Sequence, residues 1–135
     1  MRSSFIDTNV IVRHLTGDPP ALARRATAFL GSANELFLAD VIVAKTIYVL
    51  ESFYELGRER VADLMRAVLA YPPIRVVDET LLLRALEVYE VDRLDFAEAY
   101  LVSCAETTGV GAVASFDRAL DRISTISHVT PSAKT

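Results

Sequence analysis

The chain has 135 residues and a formal net charge of −4, with a mass of 14.8 kDa and a pI near 5.1; that length suits one domain, expected over 1–130, with 131–135 as a flexible tail. Hydrophobic residues make up 52% and charged residues 24%, which excludes intrinsic disorder. The lone cysteine, Cys104, excludes a disulfide framework and a cysteine-based zinc site, and the acidic balance argues against a generally basic nucleic-acid coat.

Ser4-Phe5-Ile6 predicts a strand that opens into a short helix, DTNVIVRHL. Asp18, Pro19 and Pro20 supply an N-cap and first-turn prolines. Leu22, Ala26, Phe29 and Leu30 then recur at helical spacing until Gly31 stops them. Leu36-Phe37-Leu38-Ala39 has strand character, and Asp40 is placed to cap a helix from Val41 to about Glu55, ended by Gly57. Val61, Leu64, Met65, Val68 and Leu69 mark an amphipathic helix closed by Pro72-Pro73. Ile74-Arg75-Val76-Val77 predicts a β-branched strand. Leu82, Ala85, Leu86 and Tyr89 mark another helix, and Ala97, Tyr100, Leu101, Cys104 and Ala105 one more. Gly111 to Ser115 and Ile126 to Val129 are the last strand candidates. Strands alternating with helices predict an α/β fold with a parallel-rich sheet, richer in helix than in strand.

The longest apolar stretch, Val41 to Leu50, is interrupted by Lys45 and Thr46 and is too short to span a bilayer. The N-terminal MRSSFIDTNV lacks a signal-like apolar region. A cytoplasmic protein with no membrane partner is therefore expected. Mean hydropathy is +0.31, an apolar excess consistent with surface covered by a partner or simply with a large core.

Ligands of open α/β sheets gather at the carboxyl ends of strands. Asp7 follows one strand candidate directly, and Asp117 follows another through Ser115-Phe116. Asp95 and Glu98 lie three apart at a helix start, on one face. Clustered carboxylates call for a cation, usually Mg²⁺ or Mn²⁺, and such a metal suits phosphodiester hydrolysis. Simpler roles exist for each residue. Asp7 and Asp117 could cap helices, Asp95 and Glu98 could complement a helix dipole, Asn9 could be a turn residue and Ser115 an ordinary strand serine. His14 and His128 show no metal spacing and read as surface or packing residues, and Cys104 reads as core.

In order, Asp7-Thr8-Asn9 after a strand, a long apolar helix, Asp95-Phe96-Ala97-Glu98-Ala99 and Ser115-Phe116-Asp117 resemble a PIN domain. More narrowly, they resemble the VapC toxins of VapBC toxin–antitoxin pairs. The likeness runs almost end to end, from FIDTNVIVRHLTGDPP through VIVAKTIYVLESFY and LDFAEAYLVSCA to ASFDRALDRI. It implies a three-layer α/β/α sandwich with a short, mainly parallel central sheet. It implies an endoribonuclease dependent on Mg²⁺, with Mn²⁺ as a substitute. It also implies a homodimer and a cognate VapB-like antitoxin whose tail enters an acidic pocket. On this resemblance Asp7, Asp95, Glu98 and Asp117 hold the metal, with Glu98 where the family usually has Asp. Asn9 orients Asp7, and Ser115 supports the site.

One departure stands out. The resemblance places a Glu where this chain has Lys45, a change of two charge units. A lysine there is able to pair with Asp7 or Glu98, so metal affinity and nuclease activity are expected to fall. Glu51 is six positions on, about 240° around a helix, and is a poor stand-in. Arg13, Arg93 and Arg118 lie near the motifs and are candidates for phosphate contact. The competing reading is a catalytically impaired PIN-like binding module that pairs with an antitoxin. A phosphatase using Asp7 as nucleophile is disfavoured, because the second acid such enzymes want two residues on is Asn9.

Overall fold

The computed structural model describes residues 3–32 and 35–132. Of the expected tail, 133–135 lie outside the described residues, and Pro131 and Ser132 carry no regular structure. The chain forms two compact units, Met1–Glu79 and Thr80–Thr135.

The first unit runs β1 (Ser3–Phe5), α1 (Thr8–Thr16), α2 (Pro20–Ser32), β2 (Glu35–Phe37), α3 (Asp40–Ser52), α4 (Arg58–Ala70) and β3 (Ile74–Arg75). Its strands form a parallel sheet in the order β1-β2-β3, with Ser4 opposite Leu36 and Leu36 opposite Ile74. Parallel neighbours cannot be joined by a tight turn, and here each connection carries a pair of helices. The core is aliphatic: Ile11, Leu36, Leu38, Val43, Ile47, Leu50 and Met65 are each at most 2% exposed. Val43, Ile47 and Leu50 recur at helical spacing, which turns one face of α3 inward. Thr46 is also fully buried, and its hydroxyl donates to the Ile42 carbonyl at 2.7 Å, so no polar group is left unmatched there. α1 ends where Gly17 adopts φ 71° and its N–H bonds the Arg13 carbonyl at 2.9 Å.

Several boundaries differ from the sequence expectation for local reasons. Gly31 does not stop α2 but lies inside it, one residue before its end. Asp40 is the first residue of α3, and Ala39 occupies the N-cap without a side-chain bond. α3 ends at Ser52 and not near Glu55; Gly57 caps the start of α4. β3 pairs over Ile74–Arg75 alone, and Val77 is 93% exposed.

The second unit comprises α5 (Glu79–Val91, whose first residue belongs to the first unit), α6 (Phe96–Thr108), β4 (Ala112–Ala114), a 3₁₀ turn (Arg118–Arg122) and β5 (Ser127–Val129). β4 and β5 pair in parallel, with Val113 opposite His128. Leu82, Ala85, Leu86 and Tyr89 are fully buried, as their spacing predicts. The inward face of α6 is one position off the predicted stripe. Phe96, Ala99, Val102 and Ser103 are buried, Leu101 is 49% exposed and Cys104 is only half-buried, while Ala105 is buried as expected. Ser103 explains the slip: its hydroxyl donates to the Leu81 carbonyl at 2.8 Å, so a polar residue takes a core place that hydrophobicity assigns to Cys104.

Candidate functional site

Helix capping places three of the predicted acids. Asp7 caps α1, accepting from the Thr8 amide at 2.7 Å; Asp95 caps α6, accepting from the Glu98 amide at 2.8 Å. Asp117 caps the 3₁₀ turn, accepting from the Ala119 amide at 2.8 Å. The capping and site readings are therefore compatible, because each cap engages Oδ1 and does not itself consume Oδ2.

Within the second unit, Asp95, Glu98 and Asp117 come together. Glu98 is half-buried, and its carboxyl is pushed up to about 7, first by burial and then by Asp95 and Asp117. Its Oε2 is buried without a hydrogen-bond partner. Asp117 is held below the ordinary carboxylate range, first by the Ala119 amide and then by Glu98. Of Glu98 and Asp117, Glu98 is therefore the one more readily protonated.

The surrounding chain holds this arrangement. Ser115 Oγ accepts from the Asp117 amide at 3.0 Å and shapes the turn that carries Asp117. The Arg122 guanidinium donates to the carbonyls of Asp92 at 3.3 Å and Arg93 at 3.5 Å, tying the 3₁₀ turn to the loop before Asp95. Arg93 sits there at φ 60°, a conformation uncommon for a residue with a side chain. Of the predicted phosphate contacts, Arg118 is exposed on the 3₁₀ turn.

His128 was not legible as part of this framework. Its side chain is 5% exposed. Nδ1 faces Asp121 Oδ1 at 2.7 Å, and Nε2 faces the Ser115 carbonyl at 2.8 Å. Both partners are acceptors, so both ring nitrogens donate and the imidazolium is favoured. Its pKa is raised accordingly, chiefly by Asp121 and then by the Ser115 carbonyl. No motif spacing signals this; it follows from the β4–β5 register.

In the first unit, Asp7, Thr8, Asn9, Arg13 and Lys45 line one cleft of about 420 Å³, with Phe53 also on its wall. Lys45 is exposed and forms no ion pair among the described residues, so the expected pairing with Asp7 or Glu98 is not made.

Among the described residues, no three His, Cys, Asp or Glu side chains are already grouped as a metal cage. The second-unit acids nevertheless fit a hard cation. An orphaned buried carboxylate oxygen, on a group whose ionisation two neighbouring acids oppose, is stabilised by a positive charge that takes oxygen ligands.

The PIN domain family matches residues 4–126, and the chain belongs to that family. Its helices and short parallel sheets are consistent with a PIN-like α/β/α fold. PIN domains are generally metal-dependent nucleases, so the class of function is nuclease-type. No curated protein matches the chain. Among the described residues, no helix is long and apolar enough to cross a membrane.

Proposed function

We propose that the chain is a VapC-type endoribonuclease, one PIN domain over residues 1–130, that hydrolyses RNA phosphodiesters to 5′-phosphate and 3′-hydroxyl ends. The observation that carries this reading is Glu98, with a carboxyl raised to about 7 and a buried, unpartnered oxygen beside Asp95 and Asp117. The acids proposed to hold Mg²⁺, or Mn²⁺ in its place, are Asp95, Glu98 and Asp117 of the second unit, and the resemblance gives Asp7 a metal-binding role as well. Such a metal supplies a water of lowered pKa and neutralises charge on the leaving oxygen.

The protein's own groups prepare that chemistry. The caps fix Asp7, Asp95 and Asp117 at element starts, so their carboxylates need little reordering. Glu98 must release its proton to serve as a ligand, which favours neutral to alkaline pH. Asn9 orients Asp7 in this reading, while Ser115 and Arg122 keep the Asp117 turn and the Asp95 loop in place. Lys45, at the position where the resemblance expects Glu, lowers metal affinity and turnover.

The test is cleavage of RNA with Mn²⁺ and with EDTA, using the unaltered protein, Asp7→Asn and Glu98→Gln. The expected outcome is cleavage only with metal, reduced roughly 100-fold or more by either substitution. Cleavage that persists in EDTA or survives Glu98→Gln removes this reading.

Lys45 specifically favours the second reading, a catalytically impaired PIN-like module that binds an antitoxin. Calorimetric titration with Mg²⁺ or Mn²⁺ separates the two, since tight binding that Glu98→Gln removes counts against the module. A homodimer, a VapB-like antitoxin partner and a cytoplasmic location complete the proposal. Exposed apolar side chains such as Phe5, Val41 and Tyr48, at 76%, 71% and 67%, support partner-covered surface.

A further inference from the structure

The turn that carries Asp117 is held where apolar packing does not reach it. Phe116 is 78% exposed, and Asp117 and Arg118 are exposed too, so the first half of the turn has no hydrophobic anchor. Leu120 and Ile123 are buried but anchor only the second half. His128, in the middle of β5, reaches both ends. Its Nε2 donates to the Ser115 carbonyl at 2.8 Å, ahead of Asp117 in the chain, and its Nδ1 to Asp121 Oδ1 at 2.7 Å, beyond it. Ser115 is fixed to β5 a second time by its own amide, which donates to the Val129 carbonyl at 2.9 Å. The His128 side chain is only 5% exposed, and a charged ring there carries a desolvation cost that an apolar strand residue avoids. Packing alone therefore does not account for a histidine at this place.

Both ring nitrogens are engaged, so the ring has no free position from which to pass a proton to substrate. What its two bonds fix is the separation of Ser115 from Asp121, and Asp117 lies between them. Inside that span Ser115 Oγ accepts from the Asp117 amide, and Asp117 Oδ1 accepts from the Ala119 amide. The carboxyl so placed is close enough to Glu98 that each perturbs the other's ionisation. We infer that His128 is a positioning residue for the acidic cluster: gripping the turn at Ser115 and at Asp121, it keeps the Asp117 carboxyl beside Glu98, where the two can share a divalent cation. The inference rests on the nuclease reading, in which Asp117 is a metal ligand. His128 then acts on the metal only through the residues it holds, as the orienting partners of metal ligands do.

The test reads backbone order and metal binding in the same variants, without RNA. His128→Phe keeps a ring in place and removes both donors. Asp121→Ala releases one end of the turn through a side chain that is 66% exposed, where folding is not at risk. Amide relaxation by NMR in metal-free protein should show the order parameters of Asp117 and Ala119 falling in His128→Phe from about 0.85 towards roughly 0.6, with those of α5 unchanged. Mn²⁺ affinity, from calorimetric titration of fully folded protein, should weaken roughly 10- to 100-fold in His128→Phe and about 3-fold in Asp121→Ala. His128→Gln, whose amide returns a donor near the Nε2 place, should recover part of the affinity, which a packing role does not predict. If His128→Phe does not fold, Asp121→Ala decides by the same two measurements. Unchanged order and unchanged affinity in both variants overturn the inference, and so does an equal loss of order throughout the second unit. Failure of the nuclease reading is distinguishable, because it shows as absent Mn²⁺ binding in the unaltered protein.

Discussion

Burial decides which carboxyl keeps the proton at the acidic cluster. Asp117 is exposed and takes a backbone N–H, whereas Glu98 is half-buried and faces two acids, so protonation concentrates on Glu98. The folded chain therefore binds more protons than the unfolded one between about 4.5 and about 7, and stability falls as pH rises through that range. In the proposed reading, a divalent cation held by Glu98 would reverse the sign of that cost. At tenfold excess over its Kd it contributes about 1.4 kcal/mol, a rise of a few degrees in Tm. The rise should be larger at pH 8 than at pH 5.5 in thermal scans with and without Mn²⁺; an equal rise at both would show that Glu98 is not a ligand. Position 45 is the complementary residue-scale test. Lys45→Glu should raise kcat for RNA in Mn²⁺ several-fold. If cleavage does not increase, the charge argument fails.

Two features at the scale of the elements carry stability predictions. Arg84 of α5 grips Glu106 of α6 with two bonds of 2.9 Å, through Nε and Nη2, and Thr125 donates to the same carboxylate. Arg84 holds Glu106 below the ordinary glutamate range. With both side chains no more than 31% exposed, Glu106→Gln should cost roughly 1–2 kcal/mol in urea unfolding, because the charge is lost and one acceptor becomes a donor. Gly17→Ala should cost about 1 kcal/mol for a different reason: a Cβ there meets nothing within 4 Å, so the loss is purely that of φ 71°. If the stability of Gly17→Ala is unchanged, the end of α1 adapts and the conformational argument is wrong.

Elements were legible in the sequence where apolar spacing ran unbroken, as in Leu82, Ala85, Leu86 and Tyr89. They were misread where a polar residue with a local bond entered the core. Ser103 is the example: its bond to Leu81 is invisible to periodicity and turned the reading of α6 by one residue. Of the candidate site, the approach of Asp95 and Glu98 to Asp117 was legible from a helix start and a strand's carboxyl end. The role of His128 was not, because only folding brings Asp121 and the Ser115 carbonyl to its ring.

For the molecule as a whole, three groups set opposite limbs of the pH–stability profile. Glu106, lowered in the folded state, contributes fully above its unfolded pKa, and that contribution is lost as pH falls through the folded value. His128 is raised above 6.5, so its contribution is complete below that value and disappears as pH rises through its folded pKa. Glu98 adds to the same alkaline loss. Metal-free protein should therefore be most stable in mildly acidic buffer, and its Tm should decline towards pH 8.5. A profile flat from pH 5.5 to 8.5 would remove the roles given to His128 and Glu98.

The caps formed by Asp7, Asp95 and Asp117 also bear on how such a protein changes over generations. Replacing any of them with an apolar residue strips a backbone amide of its acceptor at a cost of about 1 kcal/mol, whether or not chemistry is performed. A lineage that abandoned catalysis would still be held to these three carboxylates by folding. Position 45 is mid-helix and exposed and caps nothing, so it can exchange a negative charge for a positive one without disturbing a helix end. In the proposed reading, position 45 would report selection on activity more plainly than the aspartates, whose caps folding also requires.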